Sequence, residues 1–219
     1  MFGTMTAPSG ARRLFAVLGL VLAFAAGARA ELVEGRDYET LAQPQATEAG
    51  GKIEVAEFFW YGCPHCYRFE AALAKWLKTL PADVAFRRVH ADFGRWGPGV
   101  RLFYALEAIG EETRVHGALF DAIHVARLNY GSEPDVTAWL ARNGVDGEKF
   151  AAAYNSGAVH SQVLRAQQLT RAHGLDGVPS VVVGGKYRTS AGMASGYDAL
   201  VAIIDELIVR VRAEQAKEK

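Results

Sequence analysis

Cys63 and Cys66 are the only two cysteines in this 219-residue chain, and Pro64 and His65 separate them. Sulfurs at that spacing can serve thiol–disulfide exchange, a structural cross-link, or part of a zinc site. Exchange needs a thiolate that attacks, a second thiol that resolves, and a geometry in which the two trade places. A cross-link closing so small a loop adds little chain-entropy stabilisation. A structural zinc site takes four Cys or His ligands, often as two separated pairs, and the chain has no second cysteine pair. His90, His116, His124, His160 and His173 show no ligand spacing and read as ordinary core or surface histidines, so no metal site is expected. Exchange fits best. It requires no cofactor beyond a redox-active Cys63–Cys66 disulfide.

Chemistry of this kind needs the cysteines at the start of a helix, and the surrounding pattern supplies one. Lys52–Phe59 is rich in Ile, Val and Phe and too short for a helix, so it reads as a strand. Trp60-Tyr61-Gly62 turns into Cys63. From Cys63 to Leu80 the apolar positions Cys66, Phe69, Leu73, Trp76, Leu77 and Leu80 follow a helical period, closed by Pro81. Pro64 suits the first turn, where a missing N–H costs nothing. Val84–His90 reads as a second strand, completing a β-α-β unit.

At the helix N-terminus, exposed N–H groups and the macrodipole favour a thiolate on Cys63. Cys66, one turn on, is placed to resolve a mixed disulfide, and His65 adds a donor or a positive charge near the Cys63 sulfur. Each unit by which the Cys63 pKa falls stabilises the thiolate by about 1.4 kcal/mol. That energy belongs to the reduced protein, so it makes the disulfide a better oxidant. Glu57 shares strand phase with Ile53, Val55 and Phe59 and therefore points at a buried face, where a carboxylate needs a reason. It reads as a proton acceptor beneath Cys66 in preference to the alternative, a carboxylate snorkelling at the sheet edge. Glu70 reads as a solvated or helix-pairing charge. Trp60 and Tyr61, flanking the turn, are candidates for an apolar rim that docks substrate, with Val178 and Tyr187 contributing to it.

The rest of the chain frames this unit. Gly94, Gly97, Pro98 and Gly99 form a breaker cluster, after which helical patterns run at Val100/Phe103/Tyr104, Val115/Leu119/Phe120/Ile123 and Val136/Trp139/Leu140 without strand signals. Helix resumes near Val159–His173. Ser180–Val183 and a segment from Lys186 then read as strands joined by Gly184-Gly185, a hairpin signal. An amphipathic helix spans Tyr197–Ala213, and Lys217–Lys219 reads as a frayed tail. The expected fold is α/β: a thioredoxin fold with an inserted all-helical subdomain. Residues 31–92 and 160–219 form the thioredoxin-like domain, and 93–159 the insertion. Gly177-Val178-Pro179-Ser180 precedes the third strand. Alone it would read as a trans turn, since cis X-Pro bonds are only about 5–6%. Its pairing with a β-Cys-x-x-Cys-α unit makes Val178–Pro179 an expected cis bond beside the thiols.

With 24 basic and 24 acidic residues the formal net charge is +0, which gives no basic surface for nucleic acid. Arg12 and Arg13 precede an apolar run, Leu14–Ala26, and small residues ending Ala28-Arg29-Ala30. These are the parts of a signal peptide cut after Ala30. The run is shorter than the roughly 20 residues of a spanning helix, and no later segment is apolar enough to cross a bilayer. Cleavage removes three arginines and leaves a slightly acidic mature chain.

The run Glu57-Phe58-Phe59-Trp60-Tyr61-Gly62-Cys63-Pro64-His65-Cys66-Tyr67-Arg68-Phe69-Glu70 closely resembles the active-site segment of the DsbA family, periplasmic disulfide-forming proteins. Gly177-Val178-Pro179 with Gly185-Lys186-Tyr187 resembles that family's cis-proline loop and hairpin. The resemblance implies that Cys63 is an exposed nucleophile, Cys66 a buried resolving thiol and Pro179 a substrate-facing cis proline. It further implies unfolded exported polypeptides as substrates, a DsbB-type quinone-linked membrane protein as reoxidant, and a periplasmic location. A monomer is expected because the pattern shows no exposed apolar face. Val178 looks like the oxidase version of the residue before the proline. Gly62, where some members carry a bulky aromatic, and Arg88, where a Lys can occur, are departures that bear on substrate preference. A disulfide isomerase or reductase would share the fold, but Glu31–Gly51 is too short for a dimerisation module. A non-enzymatic holdase would have no need of an intact Cys-Pro-His-Cys run.

Overall fold

A computed structural model describes residues 1–3, 31–94 and 96–217. The signal-peptide reading rests on residues 1–30, of which 4–30 lie outside the described residues, as do 218–219.

Strand β1 is Glu39–Thr40, β2 Ile53–Phe59, β3 Val84–His90, β4 Ser180–Val183 and β5 Tyr187–Ser190. They form one sheet in the order β1-β5-β4-β2-β3. β2 pairs in parallel with β3, Phe59 opposite His90, and antiparallel with β4, Phe58 opposite Ser180. β4–β5 and β5–β1 are antiparallel. Every residue of β2 and β4 is buried, because helices cover both faces of the sheet, which is why β4 is a near-continuous apolar run and β2 is apolar apart from Glu54 and Glu57.

Helix α1 spans Pro64–Leu77 and α7 Tyr197–Lys217. Their apolar stripes, Phe69, Leu73 and Trp76 with Leu200, Ile204 and Leu207, close over Ile53, Val55 and Val183 on one face. Between β3 and β4 run α2 (Gly97–Ala108), α3 (Glu112–His124), α4 (Glu133–Arg142), α5 (Gly147–Tyr154) and α6 (Gly157–Ala172). Leu169 of α6 and Leu175 pack on Ala56, Phe58 and Val182, the opposite face. The remaining helices share a core with Phe59, Tyr61 and both cysteines, built on Phe103, Leu106, Leu119, Phe120, Leu140 and Phe150. The expected α/β core with helices inserted between its halves is therefore what the chain adopts.

Several boundaries differ from the sequence reading. α1 stops at Leu77 rather than Leu80: the residue before Pro81 is pushed out of the helical region, and Thr79 turns its hydroxyl back to the Trp76 carbonyl at 2.9 Å. The breaker cluster is largely helix, because Pro98 falls in the first turn of α2. α7 continues to Lys217, so that residue belongs to the helix and not to a tail. Strand β1 and helix α5 went unread. β1 is two residues long, and α5 buries one residue, Phe150, so neither shows a period.

The hairpin turn is confirmed. Gly184 and Gly185 both have positive φ, 61° and 64°, as a two-residue turn of the primed type requires.

Candidate active site

Cys63 is the N-cap of α1, with extended backbone, and its sulfur accepts the Cys66 N–H at 3.4 Å. Pro64 occupies the first turn, which contains no acidic residue to oppose a thiolate. Both cysteines are free thiols in this structure. The Val178–Pro179 peptide is cis, and the Cys63 thiol faces the Val178 carbonyl at 3.5 Å. That loop covers the sulfur, so Cys63 is only 5% exposed, against an expectation of an open nucleophile. Pro64 and His65 carry the exposed surface of the turn. Cys66 is wholly buried.

The two thiols differ sharply in acidity. Contact with Cys66 and the N–H groups of Cys66 and His65 bring the Cys63 pKa down to about 6 from an ordinary 9.0, against the opposing effect of burial. Burial drives the Cys66 pKa well up, helped by Cys63 and by the charge of Glu57. A nucleophile ionised at neutral pH thus sits beside a resolving thiol that holds its proton.

His65 is braced from outside by Arg68, 3.1 Å from its Nδ1, and by the Tyr197 hydroxyl at 3.4 Å. An arginine can only donate, so Nδ1 accepts and the ring proton is on Nε2. Glu57 is fully buried on β2, in the sheet interior rather than at its edge. Neither of its oxygens has a hydrogen bond, and Arg88 Nε lies 3.3 Å away. Burial first, and then Glu70, push its pKa up to about 7.

Glu70 corrects the sequence reading. It lies in the same cluster, 3.3 Å from Arg88 and 3.2 Å from His116 Nε2, and not on a solvated face. Tyr61 is a second correction. It is wholly buried, its hydroxyl 3.1 Å from His116 Nδ1 and its ring against Phe59 and Phe120, and cannot form a rim. Its aromatic bulk is taken up by the helical core. Tyr187 is a third: it is buried against Tyr38 in the core that α1 and α7 close over the sheet. Trp60 remains half-exposed, stacked on Trp96 at 4.4 Å with planes 5° apart. Trp60, Trp96 and Val178 each pack, partly buried, against the helical core. At Gly62 a Cβ would lie 2.3 Å from the Tyr130 hydroxyl and 2.4 Å from the Trp60 ring, so a larger residue there would have to displace those side chains.

The family described as DSBA-like thioredoxin domain matches residues 98–207. The Thiol:disulfide interchange protein DsbA of Pseudomonas aeruginosa is 41% identical over 206 residues, covering 93% of this chain and 98% of that one. The chain belongs to the DsbA family. The DsbA of Azotobacter vinelandii is 42% identical over 210 residues, 91% and 98% of the two chains. The crystal structure of Pseudomonas aeruginosa DsbA superposes with a TM-score of 0.79 at 43% identity, covering 84% of this chain and 96% of that one. An oxidoreductase DsbA from Xylella fastidiosa gives 0.78 at 31%, covering 83% and 98%. The DsbA fold and the Cys63–Cys66 pair make this chain a thiol:disulfide oxidoreductase.

Sequence reasoning missed the buried network around Glu57. His116 and Glu112 stand four residues apart on α3, a pairing spacing that was legible. The approach of Glu70 and Arg88 from α1 and β3 was not. His124, read as ordinary, donates its Nε2–H to the Tyr61 carbonyl at 2.8 Å, the carbonyl being able only to accept, and stacks on Tyr67, tying α3 to the active-site turn.

Proposed function

We propose that this DsbA-family protein donates its Cys63–Cys66 disulfide to newly exported, unfolded polypeptides with reduced cysteines. A substrate thiolate attacks the Cys63 sulfur, forming a mixed disulfide and expelling Cys66 as a thiolate that takes up a proton. A second substrate thiolate attacks the substrate sulfur of that mixed disulfide and expels Cys63. The substrate loses two electrons to form a disulfide, and the protein is left as a dithiol. The observation that carries this reading is the position of the Cys63 sulfur, capping α1 with an N–H donated to it, so that it leaves as a stabilised thiolate.

Pro64 and His65 shape the exposed turn around the nucleophile, and Glu57 relays the Cys66 proton, accepting it when the pair is reoxidised. Its charge reaches Cys66, which supports that role. Val178, Pro179 and Trp60 receive the substrate chain beside Cys63. A DsbB-type, quinone-linked membrane protein reoxidises the pair. Residues 1–30 direct export to the periplasm and are removed, and no helix among the described residues is long and apolar enough to cross a membrane. The mature chain works as a monomer, its thioredoxin-like domain made of residues 31–92 and 160–219 around the 93–159 insertion.

Equilibration of the purified protein with a glutathione buffer, read by tryptophan fluorescence, tests the direction of electron flow. A strongly oxidising potential supports a disulfide donor. A potential as reducing as that of thioredoxin, about −270 mV, would overturn it in favour of a reductase or isomerase.

A further inference from the structure

Five ionisable side chains from four elements meet beneath the active-site turn: Glu57 of β2, Glu70 of α1, Arg88 of β3, and Glu112 and His116 of α3. His116 is 3% exposed. Its Nε2 lies 3.2 Å from Glu70 Oε1, and its Nδ1 lies 2.9 Å from Glu112 Oε1 and 3.1 Å from the Tyr61 hydroxyl. Glu112 Oε1 is buried and accepts no hydrogen bond, so an unprotonated Nδ1 would leave that carboxylate oxygen beside a second electron-rich atom at 2.9 Å. A proton on each ring nitrogen relieves that repulsion at both ends. Arg88 gives its NH2 group to both oxygens of Glu70 at 3.3 and 3.4 Å and reaches Glu112 at 3.8 Å. Glu57 is thereby left with an ion-pair contact and no hydrogen bond.

We propose that His116 is a permanently protonated positioning residue that, with Arg88, balances Glu70 and Glu112 and so leaves Glu57 as the cluster member that exchanges a proton. The inference rests on the reading of Glu57 as the proton relay for Cys66. Two cations against two carboxylates make the cluster neutral when Glu57 is protonated and −1 when it is ionised. Without the His116 charge, three carboxyls would face Arg88 alone. The other groups facing His116 do not supply a replacement. Tyr61, from the turn before α1, has its ionisation suppressed by burial, and His90 of β3 is held neutral, its pKa down at about 3 through burial. Glu107 of α2 adds a further carboxyl beyond Glu112. Burial alone would strip the proton from His116, but the Glu112 and Glu70 carboxylates outweigh it and raise its affinity. Glu70 and Glu112 are correspondingly held below the usual carboxylate range, burial being outweighed by His116 and Arg88.

The test is nitrogen NMR of the labelled, reduced protein. Both His116 ring nitrogens should remain protonated at pH 7; an unprotonated Nδ1, accepting from the Tyr61 hydroxyl, would overturn the proposal. In His116→Asn, the Glu57 carboxyl resonance, identified by its loss in Glu57→Gln, should titrate at least about one unit higher, a tenfold gain in proton affinity. An unmoved midpoint in a folded variant would overturn it. Should that variant not fold, Glu112→Gln is read instead: His116 should lose its proton at lower pH than in the parent, and an unchanged titration would count against the proposal. Failure of the Glu57 reading shows separately, as an unchanged pH profile of reoxidation in Glu57→Gln while the His116 signals behave as expected.

Discussion

A sulfur that accepts a backbone N–H at a helix start favours the thiolate, and Cys63 carries this preference only when it is reduced. Its folded pKa, about 6, is below the ordinary 9.0. The stabilisation of the reduced form is therefore complete above pH 9 and is lost as pH falls through 6. Between those limits the reduced protein should lose stability relative to the oxidised protein by on the order of 2 kcal/mol, discounted for partial solvent screening. Paired urea unfolding of the two forms across this range checks it; a pH-independent difference would show that the helix start does not perturb the thiol. Glu57 has the opposite sign. Its pKa is raised to about 7 by burial and Glu70, so the folded state loses stability as pH rises from about 4.5 to 7. Glu57→Gln should be more stable than the parent at pH 8, by on the order of 2 kcal/mol, with the gain fading below pH 4.5. Thermal unfolding at both pH values decides this.

Among the elements, the β4–β5 hairpin is the one whose sequence dictates its shape most tightly. Gly185 has φ 64°, and a Cβ there would stand 2.1 Å from the Gln45 carbonyl oxygen. The close approach is real pairing, since Gly185 accepts the Gln45 N–H at 2.7 Å. Gly185→Ala should therefore cost about 2–4 kcal/mol, left-handed backbone and steric displacement together, seen as a lower denaturation midpoint. A loss below about 0.5 kcal/mol would mean that the segment around Gln45 moves aside freely. Helix α1 shows where element-level reading ends. Its start was legible from Pro64 and its stripe from Phe69, Leu73 and Trp76. Its end was misread because Leu80 continues the apolar period after the backbone has already turned.

Across the whole molecule, Phe59 joins the sheet to the helices inserted between β3 and β4. Its ring lies 5.0 Å from Tyr61 and His90, 5.1 Å from His116 and 5.3 Å from Phe103. Phe59→Ala should cost about 3–5 kcal/mol, because rings from several elements cannot collapse together into the space it leaves. Chemical denaturation measures it, and a cost below 1 kcal/mol would show that the helical core closes on its own.

The exchange pair, the helix start that activates it, the α/β order and the burial of Glu57 are all legible along the chain, since each follows from local spacing or strand phase. The chain also carried the hairpin, because two consecutive glycines between apolar runs have few other uses. How far Cys63 is covered, the inward turn of Tyr61 and Tyr187, and the grouping of Glu70, Arg88, Glu112 and His116 around Glu57 emerge in the packed fold alone. Those facts depend on which side chains from distant segments share a low-dielectric space. Spacing along the chain can set a face, but the charge balance at a buried carboxyl belongs to the packed elements together.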